Sequence, residues 1–199
     1  TVTINNTIIK NMSSIGILGQ GAKIVASNTV VSECGQYTVA CYIGGDYTFN
    51  HCTFANYWNY SIRSSPSILL NNYYVDAFDN IQIRDLNNVL FGNCIIYGSL
   101  TTEISFDKNN DGLFNYQFDH SIIKIDPSLN TNTSNFNNII KNSDPIFSDH
   151  LNNDLSLEEN SPAIGSGNYQ ITTDNNLFLD INGETRNNPP DIGAYHYID

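Results

Sequence analysis

The sequence predicts an all-β chain wound as a single-stranded, right-handed parallel β-helix, a three-sheet solenoid of about six recognisable coils closed by a C-terminal cap. Two observations carry the prediction. The first is a six-residue pattern (apolar, any, Asn or His, small, any, apolar) that begins at Ile4, Ala26, Phe49, Leu70, Phe91 and Phe118. These starts lie 22, 23, 21, 21 and 27 residues apart, the length of one three-stranded coil, with no helical phase between them. The second is composition. Charged residues make up only 14% of the chain, while Asn, Ser, Thr, Ile and Tyr abound, which suits amide-turned β coils better than helices. At 199 residues and 22.2 kDa one core suffices, so residues 1–125 are read as coils. Residues 126–199 are read as a long loop, the final coil or coils and the cap of the same domain.

The first coil opens at Thr1 in strand-like sequence, TVTINNTIIKN, with no polar end cap, so a longer parent chain is expected. The third pattern position reads Asn6, Asn28, His51, Asn72, Asn93 and His120. Asn and His tolerate the left-handed backbone of a sharp corner, and stacked amides bond up and down the solenoid, so these six residues are read as a structural ladder. Thr7, Thr29, Cys52, Cys94 and Ser121 form a small column beside it, which Tyr73 interrupts, so the fourth coil is expected to bulge there. A second strand follows each corner: SIGIL, TVACY, NYSIR, NIQIR and EISFD. Alternation turns Ile15, Ile17, Val39, Cys41, Tyr60, Ile62, Ile81, Ile83, Ile104 and Phe106 inward. The opposite face then carries three columns, of which the last reads Leu18, Tyr42, Arg63, Arg84 and Asp107.

Asp126 to Asn142, rich in Asn, Ser and Thr, reads as a long loop. The chain ends in SDPIFSD, NDLSL, NSPAIGSGN and DINGETRNNPPDIGAYHY, where Asp180, Arg186 and Asp191 around Gly183 are expected to clamp the last coil. The repeat with its Asn ladder resembles the parallel β-helix repeats of the pectate-lyase-like superfamily over residues 1–125. The terminal motifs resemble the C-terminal segment of secreted and cell-surface β-helix proteins of Bacteroidetes type, with His196 where that motif usually carries Glu. The resemblance implies an extracellular or cell-surface location and a substrate groove on the sheet that holds the second strands.

Eight Lys and Arg against twenty Asp and Glu give a formal charge of -12, which argues against nucleic acid as a partner. No apolar run reaches the roughly 20 residues of a membrane helix. Cys52 and Cys94, read as two coils apart, would lie about 10 Å from each other, beyond disulfide reach, so all four cysteines are expected to be reduced and buried. Outward Ile8, Val30, Tyr74, Ile95 and Ile122 form an apolar stripe, to be covered by a second copy or by further N-terminal coils.

The functional expectation rests on the last column. Two of the three arginines, Arg63 and Arg84, would fall on successive coils about 5 Å apart, where an anion must bridge them or neighbouring acids must pair with them. With Tyr42, Gln82 and Glu103 beside them they make a candidate site for an acidic, uronate-containing polysaccharide, bound or cleaved by β-elimination. The other reading is a non-catalytic structural or adhesive solenoid. Hydrolysis fits poorly, because Glu103 and Asp107 would sit about 13 Å apart on one strand. The loop DKNNDG matches the first half of a calcium loop, with Asp107, Asn109 and Asp111 as oxygen ligands, or forms an ordinary Asx-rich turn. No other cofactor is implied.

Overall fold

The computed structural model describes residues 1–198. The chain is all-β, and most of it winds into one curled parallel sheet. β1 (Val2–Met12) pairs with β2 (Ile17–Cys34), which pairs with β3 (Val39–Asn50) and β4 (Thr53–Asn56). The next pass holds β5 (Ile68–Asn71), an antiparallel hairpin of β6 (Tyr73–Val75) and β7 (Ile81–Ile83), then β8 (Leu86–Gly92) and β9 (Ile95–Gly98). β10 (Ile104–Asp107), β11 (Gln117–Asp119) and β12 (Ile122–Ile123) form the fifth pass, β13 (Phe136–Asn137) and β14 (Ile140–Lys141) the sixth. The sheet has twelve strands, all paired in parallel. Among the described residues no helix is long and apolar enough to cross a membrane.

Register explains the sequence pattern. Ile4, Ala26, Phe49, Phe91, Phe118 and Phe136 are successive partners, one per pass. Four of their rings stack face to face with centroids 4.9, 5.0 and 5.5 Å apart, close to the strand spacing itself. Phe49, Phe91 and Phe118 are fully buried, and removing each such ring from water stabilises the fold by roughly 1.5–3 kcal/mol. Leu70 does not belong to this column. It pairs with Cys41 on one side and Phe106 on the other, in the row of second strands.

The corner residues follow the same register. Asn6, Asn28, His51, Asn93, His120 and Asn138 all have φ between +44° and +52°, whereas Asn72 is not left-handed. The ladder therefore skips Asn72 and gains Asn138, because the pass from Phe49 to Phe91 is nearly twice the usual length. Its surplus is the loop 57–67 and the β6–β7 hairpin, which hold the segments read as NYSIR and NIQIR strands. The bulge expected at Tyr73 is this hairpin. The amides link as ladders do: Asn28 Nδ2 donates to Asn6 Oδ1 (3.2 Å), Asn93 Nδ2 to His51 Nε2 (3.0 Å) and Asn138 Nδ2 to His120 Nε2 (3.1 Å). Skipping one repeat also makes Cys52 and Cys94 neighbours rather than two coils apart, since Thr53 pairs with Ile95. All four cysteines are free and buried, and burial pushes the Cys34 thiol up to about 11.

The C-terminal segment does not close the last pass. It runs back along the ladder toward the first. β15 (Phe147–Asp149) and β16 (Asp154–Leu157) form a hairpin, and the short helix α1 (Tyr169–Asp174) follows. Phe147, Leu155, Leu157, Ala163, Ile192 and Ala194 bury Val30, Ile95 and Ile122, so the chain's own C-terminal segment covers most of the predicted stripe. Ile8 stays 53% exposed, and Tyr74 lies in the hairpin instead. The expected Asp180–Arg186–Asp191 clamp does not form as a bonded unit: the two carboxylates act on Arg186 only through space, and its guanidinium donates instead to Asn28 Oδ1, Gly193 O and Ala194 O, with Nε and Nη1 left without a partner. His51 and Asn93 take the rest of the segment through Thr172, Gly193 and Asn168.

Candidate functional site: the second-strand face

The second-strand row aligns Leu18, Ala40, Leu69 and Ser105, one from each of four adjacent strands. Ile17, Val39, Ile68 and Ile104 alternate with them and point into the core, as strand geometry requires. Three strand spacings make the outward row about 14 Å long. Two shallow cavities lie along it. One, of about 270 Å³, is lined by Ile15, Leu18, Gln20, Tyr37, Ala40, Tyr42 and Leu69. The other, of about 380 Å³, is lined by Ser64, Pro66, Leu100, Thr101, Thr102, Ile104 and Ser105. Leu69 and Ser105 are direct partners, so the two are parts of one groove. No lining residue carries a charge.

The loop 57–67 borders the groove: Ser64 and Pro66 line one cavity, and the Trp58 ring lies against Gly35, two residues along the chain from Tyr37 of the other. Trp58 packs against Tyr60 with ring centroids 4.9 Å apart and donates Nε1–H to Ser61 Oγ. Tyr60 is 72% and Ile62 97% exposed. An isolated loop with three large apolar side chains would collapse onto the sheet unless its ends were fixed.

Arg63 fixes it. Its guanidinium is buried and grips Glu103 with two bonds, Nη1 to Oε2 (2.9 Å) and Nη2 to Oε1 (2.7 Å). Nη1 also donates to Ser65 O, and Nη2 to Asn56 O and Ser99 Oγ. Glu103 accepts in addition from Leu100 N, Ser67 N and Ser67 Oγ. Burial of both ions is tolerated because they are paired and hydrogen-bonded, with only Arg63 Nε left without a partner. A Cβ added at Gly98 would collide with Glu103 Oε1, so glycine there makes room for the carboxylate.

The predicted arginine column is therefore not formed. Arg63 is a buried anchor, and Glu103 is its counter-ion rather than a ligand contact. Arg84 lies after the hairpin, its Cζ 5.2 Å over the Tyr74 ring, donating to Ile83 O and Tyr74 Oη. Gln82 is held by Asp76 in the same hairpin. Of the five predicted contacts only Tyr42 lies in the groove. In the DKNNDG loop the Asp107 and Asn109 oxygens have protein partners. Asp107 accepts from Asn71 and Tyr73, and Asn109 Oδ1 accepts from Asp111 N in an Asx turn. Among the described residues no three His, Cys, Asp or Glu side chains gather into a metal-binding group.

Sequence reasoning missed the Trp58–Tyr60 rim. The signal was there: three large apolar residues within five, followed by SSPS, is loop punctuation rather than strand. Comparison of the chain with family models, curated proteins and solved structures gave no match in any of the three.

Proposed function

We propose that this chain is part of an extracellular or cell-surface right-handed three-sheet solenoid, and that its second-strand groove binds a polysaccharide without cleaving it. One observation carries the choice of sugar: a chain of charge -12 lines this groove with no charged side chain at all. An acidic polymer would find no cation there and would meet long-range repulsion. A neutral glycan finds what it needs. The hydroxyls of Tyr37, Tyr42, Ser64, Thr101, Thr102 and Ser105 and the Gln20 amide offer donors and acceptors, while Leu18, Leu69 and the Trp58–Tyr60 rim offer apolar surface to sugar ring faces. Uronate recognition, expected from Arg63 and Arg84, loses its basis with the arginine column. Glycosidic cleavage of the usual kind needs two carboxylates across the bond, and the lining supplies none.

The test is a titration with neutral and with uronate hexasaccharides, followed by the fluorescence of Trp58, the sole tryptophan. Saturable change with a neutral sugar and none with oligogalacturonate is expected. The reverse order of affinities would sink the proposal.

A further inference from the structure

A second groove lies on the corner ladder itself, at Asn6 and Asn28. The C-terminal segment, after crossing Asn93, His51 and Asn28, leaves a cleft of about 880 Å³ between residues 175–183 and the first two strands. Asn28 holds one wall, donating Nδ2–H to Leu179 O (2.9 Å), while Arg186 takes its Oδ1 (3.0 Å). The cleft is therefore built by the ladder itself.

Its chemistry is dominated by amides. Asn5, Asn6, Asn28, Asn175, Asn176 and Asn182 line it, and the one acidic side chain, Asp180, is sealed. Asp180 is 3% exposed, and its oxygens accept from Asn182 N, Glu184 N and His196 N. Among the described residues the Asn5, Asn176 and Asn182 side chains have no protein hydrogen-bond partner, and all three are exposed. Each such amide presents a carbonyl oxygen beside an NH₂, a donor and acceptor pair that matches two adjacent sugar hydroxyls. Phe178 is 43% and Leu179 51% exposed, which gives the same wall apolar surface for a ring face.

We infer that this amide-lined cleft is a second, independent binding site for an uncharged oligosaccharide. It does not depend on the second-strand groove and shares no residue with it. Two separate grooves let a single chain engage two glycan strands, so the protein would cross-link rather than merely adhere.

The experiment is calorimetric titration of the full chain with cellohexaose, xylohexaose and mannohexaose, with Trp58 fluorescence followed in parallel. Two equivalents are expected for the sugar that binds, one accompanied by the Trp58 signal and one silent. Phe178→Ala, and separately Asn176→Gly, which keeps the left-handed backbone at that position (φ 54°), should weaken the silent site at least tenfold and leave the signalling site unchanged. Both side chains are exposed, so neither variant threatens the fold. A single equivalent that follows Trp58 and survives both substitutions overturns this inference and leaves the second-strand groove standing. A single silent equivalent that both substitutions abolish supports the cleft and refutes the groove. No heat with any of the three sugars overturns both.

Discussion

Replacing Arg63 by Met tests whether this residue is an anchor or a ligand contact. The guanidinium makes five bonds to protein and leaves Glu103 fully buried behind it. Removing one partner of a buried pair strands the other charge, at a cost of about 3–5 kcal/mol. That is a large fraction of the roughly 5–15 kcal/mol that holds an ordinary domain together. Urea denaturation followed by circular dichroism measures it directly. Arg63→Met and Glu103→Gln should each lower stability by that amount, and the double variant should lose less than the sum, because the second substitution removes the stranded charge. In Arg63→Met the Trp58 emission should shift to the red before global unfolding, as the rim loosens from Gly35. An Arg63 variant of unchanged stability that loses sugar binding alone would refute the anchor and restore the contact.

His51 gives a pH prediction. It is fully buried, its Nε2 accepts from Asn93, and burial with Arg186 nearby holds its pKa well below the ordinary imidazole value. The depressed folded pKa means that the unfolded chain takes up the proton first as pH falls. Stability from this group is thus intact above the ordinary imidazole pKa and declines as pH falls below it. His51→Asn, the commoner ladder residue, should remove that part of the acid sensitivity in thermal melts. In the groove, Tyr42→Ala should weaken neutral-sugar binding about tenfold with no change in melting temperature, as measured by the Trp58 titration. The four buried thiols should resist alkylation at pH 8 in the native state and all react after denaturation, a difference that intact mass reads directly.

The repeat was legible because each pass of the curled parallel sheet presents the same environment, so Asn at a left-handed corner and Phe in a ring stack recur. Five of the six predicted corners are left-handed in the structure; Asn72 is not, and the corner that takes its place in the ladder, Asn138, lay hidden in a stretch that reads as loop. The failure at Leu70 has a physical cause. ILLNNYYV satisfies the hexad by composition, yet its strand is the second of a pass rather than the first, and pattern alone does not distinguish rows that share an inward apolar alternation. One slipped repeat then displaced Arg63 and Arg84 from the sheet and placed Cys52 beside Cys94. Tyr42 survived because β3 keeps the regular period. The reversal of the C-terminal segment was illegible, since the partners of Asn28 lie more than 150 residues away in sequence.

The most direct test of the account is a crystal structure of the chain with a bound neutral hexasaccharide. The account predicts sugar density running along the row Leu18, Ala40, Leu69 and Ser105, perpendicular to the strands, with a ring against Tyr42 or the Trp58–Tyr60 rim. Density confined to Arg84 and the β6–β7 hairpin, with the second-strand row bare, would contradict it.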